Sequence, residues 1–250
     1  MHNFRLVTLG VGGAFSACSY SSCLALEAEG SWLLIDCPHP IRKMMGEASR
    51  SAGVELDLPS MDAVALTHLH ADHVSGLEGA ALYSRFVLGR PLRLLAHPSV
   101  SEQLWDGHLS ASMRWVVREP GEAPVERYFE DFFDLIPLSE TAAVQLGPFA
   151  VRCRPTLHSV PTTALFIEAV GRKLGYSADT AFDPELIAWL AAADLIVHEA
   201  DGGFLHTPYE HLATLPLAVR AKLRLIHYPD NFDASASTIE VLRQGRCYEV

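Results

Sequence analysis

A short apolar run, Met61-Asp62-Ala63-Val64-Ala65-Leu66, leads without a break into Thr67-His68-Leu69-His70-Ala71-Asp72-His73. The run suits a buried strand and residues 74–88 have helical composition, so the histidines occupy a strand-to-helix turn. Neutral imidazoles suit a borderline cation such as zinc, and a carboxylate among them can bind or neutralise a second cation close by. The turn holds too many donors for one tetrahedral ion. His68 and His70 alternate in extended backbone and point the same way, whereas Asp72 and His73 follow the bend and aim at a neighbouring position. The spacing predicts two metals side by side.

The rest of the chain repeats the pattern of apolar run followed by polar residue. Residues 3–9 read as a strand ending at Gly10, before the Gly-rich turn Val11-Gly12-Gly13-Ala14-Phe15-Ser16. That turn is either strand-end punctuation or a feature beside the metals, and it contains neither a G-x-G-x-x-G nor a Walker pattern. Residues 22–28 and 32–37 read as a hairpin whose second strand is closed by Asp36. A helix is expected over 40–50, a strand over 91–97 and a helical start over 99–105. Further strands are expected over 149–155, 163–168, 173–177, 194–199 and 223–226, with helices over 183–193 and about 208–222. The tail, 239–250, supplies a turn and a last short strand. The acid- and aromatic-rich segment 107–137 shows no clear period and reads as a lid, a dimer contact or a packing insert. His39, His97 and His108 are isolated and read as structural.

Length and composition narrow the options. The 250 residues fit one domain, 1–250, able to bury a sizeable core. No apolar run approaches the ~20 residues that span a bilayer, and Met1-His2-Asn3-Phe4-Arg5 leads into a strand without a signal-peptide pattern. A cytoplasmic location is expected. The five cysteines, Cys18, Cys23, Cys37, Cys153 and Cys247, are odd in number and form no C-x-x-C pair, which excludes a complete disulfide framework. Thirty acidic against nineteen basic residues, a formal charge of −11, oppose binding to a long phosphate backbone. A small anionic ligand remains open, because metals can hold it.

The His-x-His-x-Asp-His turn after an apolar strand resembles the signature of the metallo-β-lactamase-fold hydrolases. The resemblance implies an α/β (α+β) fold, a four-layer αββα sandwich with its metals at one edge of two sheets. It also implies a ligand order in the remainder of the chain, which His158, Asp179 and His227 match, each directly after a strand-like run. Carried over residue by residue, His68, His70 and His158 hold one metal, Asp72, His73 and His227 the other, and Asp179 bridges. A bridging aspartate, where common zinc β-lactamases carry a cysteine, departs from lactam hydrolysis. Gly175-Tyr176-Ser177-Ala178-Asp179-Thr180, followed by the His198-Glu199-Ala200 run, is similar to the ribonuclease Z group. That likeness implies a proton-donating histidine one helix upstream of the last ligand, either His206 or His211, with Glu199 orienting it.

Only twenty residues separate His158 from Asp179, and a tight hairpin fills them, so the long tRNA-gripping arm of many ribonuclease Z proteins has no room there. The expectation is therefore a dinuclear hydrolase of small, cyclic-nucleotide-like phosphodiesters, in which metal-activated hydroxide attacks, Asp72 or Asp179 orients it and His206 protonates the leaving group. The alternatives are a tRNA 3′-processing nuclease and a thioester, lactone or lactam hydrolase. Zinc is the expected metal, with manganese and iron also suited to a His/Asp site. A homodimer is expected by analogy alone.

Overall fold

The computed structural model describes residues 3–117 and 119–250. Met1 and His2, read above as the lead into the first strand, and Arg118, inside the 107–137 segment, lie outside the described residues. Two seven-stranded sheets carry the fold. From edge to edge, the first consists of Cys247–Glu249, Phe4–Gly10, Cys23–Ala28, Ser31–Ile35, Ala63–Ala65, Leu92–Ala96 and Phe133–Pro137. The second consists of Glu240–Val241, Leu223–Ile226, Leu195–Glu199, Arg172–Tyr176, Thr163–Ala169, Phe149–Pro155 and Val144–Leu146.

Strand periodicity explains the layers, because alternate side chains point to opposite faces of a sheet. Leu24, Leu26, Leu33, Ile35, Ala63 and Ala65 face inward and meet Leu165, Ile167, Leu174, Tyr176 and Val197 from the second sheet in one core. Their neighbours Cys23, Ala25, Leu34 and Val64 face the other way, against Met44, Met45, Ala48 and Leu77 from the helices Ile41–Ala52 and Leu77–Phe86. On the far side, Ala164, Phe166, Ile196 and Leu225 pack on Leu186, Leu190 and Leu212 from Pro184–Leu190 and Tyr209–Ala213. Strands so apolar on both faces must be covered twice, since each fully buried Leu or Ile contributes roughly 1.5–3 kcal/mol. The result is the αββα sandwich expected from the sequence.

The arrangement also decides where a site can form. Ser31–Ile35, Ala63–Ala65 and Leu92–Ala96 run parallel, as do Arg172–Tyr176, Leu195–Glu199 and Leu223–Ile226. Parallel strands deliver their carboxyl ends to one edge, where the loops form a crevice. Backbone hydrogen bonds join the two sheets at that edge, from Thr163 N–H to Thr67 O at 3.0 Å and from Tyr228 N–H to Val11 O at 3.4 Å.

Several elements differ from expectation for identifiable reasons. The helix expected over 208–222 is two short ones, Tyr209–Ala213 and Leu217–Arg220, because Pro216 has no N–H to continue the ladder and disfavours helical backbone at Leu215. The helix expected over 74–88 restarts at Leu77 after Gly76, where an added Cβ would stand 2.4 Å from the Pro38 carbonyl oxygen. Within 107–137 lie the hairpin Trp115–Val116 with Val125–Glu126 and an edge strand, Phe133–Pro137. Phe132 and Phe133 are buried in the outer core, with Trp105 stacked on Phe132. Trp115 and Tyr128 stand largely in solvent. The tail serves both sheets, Glu240–Val241 closing the second and Cys247–Glu249 the first. Cys23, Cys37 and Cys153 are buried, Cys18 and Cys247 exposed, and all five are free thiols. Among the described residues no helix is long and apolar enough to cross a membrane.

Candidate metal centre

Four strand ends supply the donors. His68 and His70 follow Ala63–Ala65, Asp72 and His73 begin the short helix Ala71–Val74, His158 follows Phe149–Pro155, Asp179 follows Arg172–Tyr176, and His227 follows Leu223–Ile226. All seven come together. One group is His68, His70, His158 and Asp179; the other is Asp72, His73, Asp179 and His227; each has its ligand atoms within 4.8 Å of one another. Asp179 belongs to both.

The spacing of the donors is itself diagnostic. His70 Nδ1 lies 3.2 Å from His68 Nε2 and 3.1 Å from His158 Nε2. Asp72 Oδ2 lies 3.2 Å from His227 Nε2 and 3.3 Å from His73 Nε2. Asp179 oxygens stand 3.4 Å from His73, 3.5 Å from His227 and 3.7 Å from His68. Donors arranged tetrahedrally about zinc at ~2.0–2.1 Å stand ~3.3–3.4 Å apart, so these separations match the edges of a coordination shell.

The outer ring nitrogens point to the same conclusion. Thr67 donates its hydroxyl to Asp36 Oδ2 at 2.9 Å and accepts from His68 Nδ1 at 3.0 Å. His73 Nδ1 donates to Asp36 Oδ2 at 2.8 Å, and His158 Nδ1 donates to the Leu205 carbonyl at 3.2 Å. With Nδ1 protonated in each ring, Nε2 keeps its lone pair for a cation. Buried His73 Nε2 and Asp179 Oδ1 have no hydrogen-bond partner among the described residues, an expensive arrangement unless a cation lies between them. The donor set therefore fits a pair of divalent cations.

Electrostatics agree. Burial pushes the His68 and His158 pKa values down, which keeps those rings neutral and able to ligate. Burial works the same way on His73 and His227 but is outweighed by Asp179, with Asp36 adding to it at His73; His227 is raised to about 9 and His73 also lies above its ordinary value. For Asp179, burial opposes ionisation, yet His227 and His73 hold it well below the usual carboxylate range. These carboxylates call for positive charge, which a divalent cation bound there would supply in place of the histidine protons.

Beside the donors, His206 Nδ1 contacts both Glu199 oxygens, and it lies 3.9 Å from Asp179 Oδ2. His211 instead is exposed and packs edge-on against Phe182, so of the two expected candidates only His206 joins the cluster. His97 caps Pro98–Ser101 by accepting from Ser99 N–H, and His39 and His108 are exposed. Sequence reasoning missed Asp36 and Thr67 as orienting residues. The available signal was an acid ending an apolar run, a placement that Asp36 shares with the later ligand candidates but that alone marks no role. It also missed Asp201, whose Oδ2 is 3.9 Å from His227 Nδ1. The Gly-rich turn, left open between two readings, lies against this edge: a Cβ on Gly13 would stand 3.0 Å from Asp201 Oδ2.

Residues 4–248 match the sequence profile of the family described as "Anti-Pycsar protein Apyc1". A protein of that description from Bacillus phage 010DV004 is 33% identical over 263 residues, covering 99% of this chain and 98% of its own. One from Paenibacillus harenae is 31% identical over 251 residues, covering 97% and 98%. Among solved structures, the metallo-β-lactamase fold protein YhfI from Bacillus subtilis superposes with a TM-score of 0.75 at 19% identity, covering 99% of this chain and 100% of that one. Yeast PDE1 gives 0.73 at 11%, covering 100% of both, and the short form of human tRNase Z 0.68 at 20%, covering 98% of both. The metallo-β-lactamase fold is thereby established.

Proposed function

The chain belongs to the Anti-Pycsar protein Apyc1 family, and from that premise we propose that it is a metal-dependent phosphodiesterase acting on small diesters, cyclic nucleotides foremost. The observation that carries the reading is the juxtaposition of two overlapping His/Asp groups with the His206–Glu199 pair. His68, His70 and His158 would hold one cation, Asp72, His73 and His227 a second, with Asp179 shared. Divalent cations there would supply Lewis acidity toward phosphate oxygens and an acidified water at neutral pH. Zinc suits these donors, and manganese or iron would be accepted.

The remaining chemistry falls to the chain. Hydrolysis forms a P–O bond from water and breaks one P–O bond to a sugar oxygen, which leaves as a poor alkoxide. His206, held by Glu199, protonates that oxygen, and Asp72 orients the attacking water. Asp36 and Thr67 keep the ligand rings in the tautomer that ligation requires. The residues between His158 and Asp179 are spent on the hairpin Thr163–Ala169 and Arg172–Tyr176, turned through Val170 and Gly171 with positive φ. With the charge of −11, this favours a small substrate over tRNA.

The test is metal analysis followed by turnover of bis(p-nitrophenyl) phosphate, cyclic mononucleotides, a precursor tRNA and a thioester. Metal-dependent cleavage of cyclic mononucleotides is expected. Thioester turnover without any diester cleavage would move the chain to carbonyl chemistry and overturn the reading.

A further inference from the structure

Beside the metal centre, two cavities share the walls Asp201, Pro229 and Asn231. The smaller, about 260 Å³, is closed on its other side by Gly13, Phe15 and Ser16 from the Gly-rich turn. We propose that this cavity is the nucleobase subsite of the enzyme, with Phe15 as the stacking face and Asn231 and Asp201 as the hydrogen-bonding edge. The proposal rests on the phosphodiesterase reading above and adds to it the part of the substrate that selects the site.

Phe15 is 98% exposed, the most exposed large apolar side chain among the described residues. A phenyl ring left in water usually sits on a loose loop, but this one does not. Asp230 accepts from the Ser16 hydroxyl, from Ala17 N–H at 2.7 Å and from Cys18 N–H at 3.4 Å. Ser16 N–H donates to Gly13 O at 3.1 Å, Ser19 N–H to Ser16 Oγ at 3.0 Å, and Gly13 N–H to Tyr228 O at 3.4 Å. The turn is therefore bound to the strand end that carries His227, and Phe15, which lines the cavity, is carried on that fixed backbone. A phenyl side chain has only two χ angles to fix on binding, and every base offers it a π-surface.

Position and polarity support the same occupant. Asp201 lines the cavity and stands 3.9 Å from His227 Nδ1, on the opposite side of that ring from the Nε2 that faces Asp72 and Asp179, so one imidazole lies between this wall of the cavity and the donor cluster. A cyclic nucleotide carries base and phosphate on one ribose and needs adjoining subsites. The Asn231 carboxamide both donates and accepts, and the Asp201 carboxylate accepts, which suits the N–H and carbonyl edge of a base. A second phosphate would be repelled by Asp201. The Asp230 carboxylate is engaged by the turn and is not offered to the ligand.

Phe15→Ala and Asn231→Ala in the whole chain, each checked for metal content, test the assignment against cyclic mononucleotides and against a methyl riboside cyclic phosphate that lacks a base. The wild type should prefer the base-bearing diester, and either variant should raise its KM by about tenfold or more while leaving kcat, metal content and turnover of the base-less diester unchanged. Phe15→Tyr should retain the preference. Equal KM values in wild type and both variants, or equal loss on both diesters, would overturn the subsite. A wild type that cleaves both diesters equally well would overturn it while leaving the phosphodiesterase reading intact. A wild type inactive on every diester would remove both.

Discussion

His206 turns Nδ1 to both carboxylate oxygens of Glu199, 3.1 Å from each, and Glu199 is buried while the His206 side chain keeps 22% exposure. The carboxylate fixes the ring and leaves Nε2 as the nitrogen available to a substrate. Burial favours the neutral imidazole, but Glu199 and Asp179 outweigh it and raise the His206 pKa above the ordinary histidine value. The shift favours the protonated ring that a general acid requires.

Replacing His206 by Ala should leave metal content unchanged and reduce kcat on alkoxide-leaving diesters by about 10²–10⁴-fold. The loss on bis(p-nitrophenyl) phosphate should be much smaller, because p-nitrophenolate leaves without a proton. His211→Ala should change neither rate. Equal losses on the two substrate types would show that His206 does not donate the proton.

Glu199→Gln should move the pH profile rather than merely lower it. A raised pKa means that the acid form persists to higher pH, so activity is present below that pKa and falls as pH rises through it. Without the carboxylate, the His206 pKa drops and the alkaline limb of kcat against pH should move to lower pH. A lower rate with an unshifted limb would assign Glu199 a purely architectural role.

Asp36→Asn should weaken metal binding by about 10–100-fold, read by competition with a chromogenic chelator. The substitution keeps shape, and Asn tolerates the positive φ of 60° found at Asp36. What it removes is the carboxylate that accepts from His73 Nδ1 and Thr67. Unaltered affinity would mean that the rings are oriented without it.

Chelation should lower the melting temperature, and readdition of zinc should restore it. At free metal 100-fold above Kd the stabilisation is about 2.7 kcal/mol, or roughly 5–10 °C for a domain of this size. The effect should fade on acidification, since the histidine donors must be deprotonated to bind. Scanning calorimetry with and without chelator measures it.

His68, His70, Asp72 and His73 were legible because they crowd one strand-to-helix turn, and His158, Asp179 and His227 because they match the ligand order that the resemblance implies, each after an apolar run. Asp36 also ends an apolar run but was passed over, since a lone acid at a strand end has many ordinary uses. Only the fold shows it reaching Thr67 and His73 at once. Asp201, Phe15 and Asn231 are loop residues, and their proximity is created by the bridge between Gly12 and Tyr228, which no local pattern encodes. The strand Phe133–Pro137 was missed because Phe132, Phe133 and the neighbouring acids obscure any period, and its place is set by pairing with Leu92–Ala96.

Phe15 and Asn231 are exposed on loops, whereas His68, Asp179 and His227 are buried just beyond the ends of strands. On the proposed reading, selectivity rests on exposed loop side chains and reactivity on buried ones, although Asp230 ties the Phe15 turn to the strand end of His227. Descendants of such a chain can change what they cut by rewriting a few loop residues, with the hydrolytic machinery passed on intact.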